Sequence, residues 1–342
     1  MTRLPVPPWV APTVLALAAG AAGALVASLL RVPAPTLVGS TVAVLTVSLL
    51  GGRPDVPNAL RDPAFAVIGM TLGAGITPTI AQDIARWPSS LLGMALTLLA
   101  ASALAALVMR RTGAGWGTSV LATSPGALSY ALALAMERGG VDLRLVTVLQ
   151  SIRLVAITVL VPPLVVGMGG SGTAGTGAEA SPMLASLVLL AIASAGGLVL
   201  SRLRVPAAWL IAGLVVSAVA HAGGWVAGRP APALLAAGFV IAGAVIGSRF
   251  GAVGAGELRR MAALGLGLAA LAMLVSAAGA GLAAGLLGLP FGQVWVAYAP
   301  GGVEGMAAIA VALDYDPVFV ATHHIVRLAV IMLVLPWVVR SP

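Results

Sequence analysis

Twelve apolar runs follow one another along this chain, each close to the roughly 20 residues needed to cross about 30 Å of hydrocarbon. Six fall near 11–30, 35–51, 63–80, 89–109, 116–137 and 143–168, and six near 182–201, 206–222, 231–248, 261–288, 291–312 and 317–339. Two of the runs are interrupted at corresponding places. WGTSVLATSPGALSYALALAMERGG breaks at Pro125–Gly126, and QVWVAYAPGGVEGMAAIAVALDY breaks at Pro300–Gly301. The pieces on either side are too short to span, and Pro followed by Gly ends a helix in a sharp turn. The pattern predicts a hairpin that enters and returns, or else a broken helix that crosses. In both cases unwound backbone at membrane depth is tolerated only where protein or a water-filled cavity surrounds it.

The interruption belongs to a repeat that covers the chain. Arg153–Leu154 returns as Arg327–Leu328, Pro162 as Pro336, Arg31–Val32–Pro33–Ala34 as Arg204–Val205–Pro206–Ala207, and Gly69–xxx–Gly73 as Gly243–xxx–Gly247. The expected organisation is therefore a first membrane repeat over 1–169, a Gly/Ser/Thr linker over 170–180 and a second repeat over 181–342. Because the first run has a partner in the second half, it reads as a retained span and not as a cleaved signal peptide. The paired glycines predict close helix–helix packing within the protein.

Composition agrees with an all-α polytopic membrane protein: 60% of residues are hydrophobic and 8% charged, against about 25% charged in soluble domains. The net charge of +8 is carried by arginines in short loops, so it reports membrane orientation. No soluble stretch is long enough to form a basic face for nucleic acid. If all twelve runs crossed, the loop arginines would divide seven to nine between the two sides. If one run in each half turns back, thirteen lie on the side of the N-terminus and only Arg31, Arg86 and Arg229 opposite. The charge bias thus predicts inverted repeats of about five crossings each, plus a broken or re-entrant helix, with both termini cytoplasmic in a bacterial inner membrane.

The candidate chemistry gathers around the breaks. Arg153 and Arg327 lie in mid-helix, where an arginine costs at least ~2.5–3.5 kcal/mol on insertion scales and requires a cavity or a partner. They either hold backbone carbonyls freed by the breaks or flank an anion through their guanidinium forks. On the second reading Arg153→Ala and Arg327→Ala lose the ligand and leave the fold inserted. Gln150 and His324 stand three residues ahead of the two arginines, on the same helix faces. Ser124, Gly126, Ser129, Gly301 and Gly302 add hydroxyls and backbone N–H groups, although each serves equally as a cap. Glu304 begins the arm after the second break, where it suits the helix dipole and is also a candidate for coupling-ion or proton binding, with His324 as a titrating partner. Its counterpart by repeat is Ser129. Asp142 and Asp316 read as N-caps. The absence of cysteine and the scarcity of histidine predict no metal site, no cofactor and no enzyme.

SPGALSYALALAMERGGVDLRLVTVLQSIRL and YAPGGVEGMAAIAVALDYDPVFVATHHIVRL resemble the AbrB duplication family of bacterial inner-membrane proteins, which is distinct from the small DNA-binding regulator sharing that name. The family looks related to the cation–proton antiporter and anion transporter superfamily. The resemblance implies a moving core with broken helices set against a scaffold, and a homodimer through scaffold helices. Members are labelled both regulator and ammonia monooxygenase. The expected function is a secondary transporter of a small organic anion or zwitterion, coupled to ions or protons. A membrane-embedded sensor of gene expression that binds a small ligand without moving it is the alternative. The expected partners are that ligand and the lipid bilayer, without nucleic acid.

Overall fold

The computed structural model describes residues 7–75, 87–125, 128–169, 179–205, 207–250 and 255–339. Among them are fourteen helices and no strand. The first seven are α1 (Val10–Leu29), α2 (Pro35–Leu49), α3 (Asn58–Ala74), α4 (Pro88–Arg110), α5 (Trp116–Thr123), α6 (Leu128–Arg138) and α7 (Leu143–Gly167). The second seven are α8 (Met183–Arg202), α9 (Ala208–Ala222), α10 (Pro232–Ser248), α11 (Ala255–Leu287), α12 (Phe291–Tyr298), α13 (Val303–Ala312) and α14 (Pro317–Val338). The two sets match in sequence: α1 and α8 have 20 residues each, α2 and α9 15, α3 and α10 17, α5 and α12 8. Stretches in α1, α4, α7, α8, α11 and α14 are long and apolar enough to cross a membrane. The protein is an all-α polytopic membrane protein.

The duplicated turns are built alike. Arg31 and Ala34 before α2, and Arg204 and Ala207 before α9, all adopt left-handed φ between 52° and 57°. Asp142 and Asp316 cap α7 and α14 as expected: Asp142 Oδ1 accepts from Leu145 N at 2.9 Å, and Asp316 Oδ1 from Val318 N at 2.9 Å and Phe319 N at 3.1 Å.

The two halves of the sequence are not the packing units. α1–α3 pack with α8–α10 in one bundle, and α4–α7 pack with α11–α14 in another. Glycines set the first bundle. A Cβ at Gly69 would strike the Leu210 carbonyl and one at Gly73 the Leu214 carbonyl, while Gly213 faces Ala66; rising numbers meet rising numbers, so α3 and α9 run parallel. Gly243 against Leu37 and Gly247 against Thr41 make α10 parallel to α2 in the same way. Glycine is required here because backbone meets backbone with no room for a side chain.

In the second bundle, α7 and α14 are the central helices: 72% and 56% of their apolar windows lie buried, against 22–33% in α1, α4, α8 and α11. Both interrupted runs fold back on themselves. At the mouth of α5–α6, Asp142 N donates to Thr118 Oγ1 at 3.0 Å; at the mouth of α12–α13, Asp316 N donates to Gln293 Oε1 at 3.2 Å. The first mouth also receives the end of α14, where Trp116 Nε1 donates to Val338 O at 2.9 Å. The second receives the end of α7, where Val165 lies against Gly292. Each central helix therefore starts at one mouth and ends at the other, so the hairpins approach from opposite ends.

Gly69→Val and Gly243→Val are expected to destabilise the protein by at least ~1–3 kcal/mol each, since the intruding atoms meet backbone. Gly267→Val, with open space around it, is the control. Thermal unfolding in detergent checks this: equal midpoints for the three variants would contradict the packing.

Candidate functional site

A helix that stops at membrane depth strands its last carbonyls, and each hairpin meets that demand from the neighbouring central helix. At the first tip, Gln150 Nε2 donates to Leu121 O at 2.7 Å, Arg153 Nη1 to Thr123 O at 2.8 Å and Arg153 Nη2 to Ser124 O at 3.0 Å. At the second, His324 Nε2 donates to Val296 O at 3.0 Å, Arg327 Nη1 to Ala299 O at 2.6 Å and Arg327 Nη2 to Gly301 O. A histidine nitrogen facing a carbonyl must carry a proton, so Nε2 is the protonated position and Nδ1 is left without a partner. Arginine on carbonyls at a helix C-terminus also opposes the negative end of the dipole.

A cavity of about 720 Å³ lies between the two bundles. The hairpin bundle contributes Leu128, Tyr130, Gln150, Arg153 and the turn Pro300–Gly301–Gly302–Val303–Glu304; Arg204 and Arg249 come from the other bundle. Arg204 sits between α8 and α9 and Arg249 just past α10, both exposed into the space. Glu304, half-buried, attracts Arg249 electrostatically, while Arg61 repels it. Neither the Arg204 nor the Arg249 side chain makes a hydrogen bond or short ion pair among the described residues. Among the described residues, three arginines and one carboxylate thus give the walls an excess of two positive charges. At the far end of the molecule the bundles are joined by an ion pair, Arg229 Nη2 on Asp314 Oδ1 at 2.7 Å.

The expected site residues part company here. Gln150, Arg153, Gly301, Gly302 and Glu304 line the cavity. Arg327 and His324 do not: both are fully buried behind the second tip. Ser124 donates to Val120 O at 2.7 Å and borders a separate apolar groove between α4, α5 and α14. Gly126 and the side chain of Ser129 lie outside the described residues. Sequence reasoning counted Arg204 and Arg249 only as loop charges; the repeated Arg-Val-Pro-Ala motif was the one signal that marked Arg204.

His323, next to His324, is fully buried in a polar cluster joining α4, α12 and α14. Its Nδ1 faces Phe319 O at 2.8 Å, so Nε2 accepts from Ser90 Oγ at 2.8 Å, and Tyr298 Oη donates to Ser90 O at 2.7 Å. The two adjacent histidines gather no third ligand, and no group of three metal-ligating side chains occurs among the described residues.

Comparison with known proteins follows this geometry. The family described as "Transition state regulatory protein AbrB" matches residues 36–341. A protein of Escherichia coli strain K12 named "Putative regulator AbrB" is 27% identical over 319 residues, covering 91% of this chain and 90% of its own length.

Because the two central arginines hold backbone, their removal is expected to act first on the fold. Arg327→Met strands two buried carbonyls, a loss on the order of 2–6 kcal/mol, and His324→Leu or Gln150→Leu one each, about 1–3 kcal/mol. Yield and thermal midpoint in detergent give the ranking; an Arg327→Met protein as stable as the parent would refute the carbonyl role.

Proposed function

The chain belongs to the AbrB family, and from that premise and the cavity between the bundles we propose that it is a secondary active transporter of a small organic anion or zwitterion, coupled to a proton or another ion. One observation carries the reading: two hairpins approach from opposite ends, and the charged cavity beside their tips has walls from both bundles. Movement of the hairpin bundle against its neighbour would exchange the open end, which is the requirement of alternating access at a fixed site.

The inverted arrangement of the repeats has direct support. α7 and α14 correspond by repeat yet run antiparallel between the two mouths. With the loop arginines read by the positive-inside rule, the termini are cytoplasmic in a bacterial inner membrane, and Arg204 and Arg249 face the cytoplasm. The cavity is then the inward-open state, and the Arg229–Asp314 pair lies at the closed outer end. In this scheme the coupling proton belongs to Glu304, the one carboxylate among the described wall residues. His324, occupied with Val296 O, serves the hairpin tip instead.

A second reading is favoured by the name of the Escherichia coli relative, a regulator. The same cavity would then bind a ligand and report it without moving it.

Single cysteines in place of Gly302 and Ser124 separate the two readings, since the chain has no native cysteine. A transporter exposes Gly302→Cys to impermeant thiol reagents from both sides, in proportions that change with ligand or pH. Labelling of each position from one side only, under every condition, would count against transport and for the sensor. For a transporter, Glu304→Gln is expected to flatten the pH dependence of uptake in proteoliposomes; an unchanged profile would remove Glu304 from the coupling.

A further inference from the structure

We propose that the cavity binds a small organic dianion, a dicarboxylate, with Arg204 and Arg249 taking the two carboxylates. The inference rests on the reading of this cavity as the ligand site and narrows its chemistry.

Charge decides between the ligand classes. Arg153 keeps its positive charge while its Nη atoms are committed to Thr123 O and Ser124 O. Carbonyl dipoles stabilise that charge without cancelling it. Arg204 and Arg249 leave their guanidinium donors uncommitted, and Glu304 removes one charge from the sum of three. A dianion brings the cavity to neutrality; a monoanion leaves one charge and a zwitterion leaves two. Two charges left in a partly desolvated space are unfavourable, and they attract a multiply charged anion from solution.

The two free guanidiniums reach the cavity from different segments, one ahead of α9 and the other beyond α10, with Leu128, Leu154, Leu328 and Met332 on the walls. Two forks on independent segments with apolar surface nearby suit a carboxylate at each end of a short methylene chain. The volume accommodates such a molecule together with water.

Glu304 fixes the sign of the decisive test. Facing it are Arg249 past α10 and, within electrostatic reach, Arg327 of α14; Arg153 of α7 and Arg204 share its cavity. For a dianion, the Glu304 carboxylate is a like charge competing for Arg249. Removing it by Glu304→Gln strengthens binding. For a zwitterion it is the one acidic group among the described wall residues to receive an ammonium, so the same change weakens binding.

The experiment is equilibrium binding to the full chain in detergent, at constant ionic strength and pH 7.5. The probes are succinate and adipate, with butyrate and 4-aminobutyrate as a monoanion and a zwitterion of succinate's chain length. The expected result is binding of at least one dicarboxylate about tenfold or more tighter than the other two. Arg204→Gln and Arg249→Gln each weaken it about tenfold, and Glu304→Gln tightens it several-fold. These three side chains make no hydrogen bond among the described residues, and the substitutions leave the backbone hydrogen bond from Arg204 N to Ser201 O in place, so the variants remain folded. Failure of both dicarboxylates to bind, equal affinity for butyrate, or 4-aminobutyrate binding best and weakened by Glu304→Gln would each overturn the proposal. Because this reads binding alone, dicarboxylate binding with one-sided cysteine labelling would reject transport and keep the dianion, and the reverse would do the opposite.

Discussion

Everything distinctive in this structure follows from breaking a helix inside a membrane-spanning bundle. A chain that turns back between two short helices leaves carbonyls with no donor in their own segment and no water to supply one. Arg153 and Arg327 answer that demand with two donors each from the neighbouring central helix. A charged fork costs more to bury than an amide, yet it reaches two carbonyls at once and opposes the helix-end dipole. Gln150 and His324 complete the arrangement one turn earlier. The tips are thereby fixed to α7 and α14, and each central helix in turn joins the mouth of one hairpin to that of the other. The second bundle is consequently held together by polar contacts at its middle and at both ends, which favours its moving as a unit.

The first bundle is held by different physics. Glycines on α2, α3, α9 and α10 bring helix backbones into contact, and α2 adds hydrogen bonds from Ser40 Oγ to Val240 O at 2.6 Å and from Ser48 Oγ to Gly247 O at 3.2 Å on α10. Two bodies with unlike internal bonding meet along a cleft that carries the cavity and, at the other end, the Arg229–Asp314 ion pair. Apart from that pair, the side-chain hydrogen bonds described lie within one bundle or the other and not across the cleft.

Much of this was legible in the sequence, for identifiable reasons. The Pro-Gly breaks, the Gly–xxx–Gly pairs, the aspartate caps and the mid-helix arginines each violate what a lipid-facing helix tolerates, so each announces a local structure. What could not be read was the direction in which a side chain turns. Arg153 reaches both a hairpin and the cavity whereas Arg327, its repeat partner, reaches only a hairpin, and no spacing along α7 or α14 distinguishes them. Arg204 and Arg249 were invisible as wall residues because an arginine in a short loop looks the same whether it faces bulk water or a cleft formed by distant helices. The Ser90–Tyr298–His323 cluster draws on three separate apolar runs, and only tertiary packing brings them together.

The duplication itself divides the residues by task. Asp142 and Asp316, Thr118 and Gln293, Gln150 and His324, Arg153 and Arg327 occur in corresponding places and all hold backbone or helix ends. Glu304 has Ser129 as its counterpart, and Arg249 has Gly75. Arg204 is matched by Arg31, which lies outside the cavity. Paired positions answer constraints that any duplicated hairpin must meet, so both copies retain a polar side chain there. Arg249 and Glu304, which have no charged counterpart, answer no such constraint, and both stand on the cavity wall beside Arg153 and Arg204. The two ends of the molecule therefore share a frame but not a chemistry. An anion that met Arg204, Arg249 and Glu304 at one end would meet, at the equivalent positions of the other, one arginine instead of two and no carboxylate.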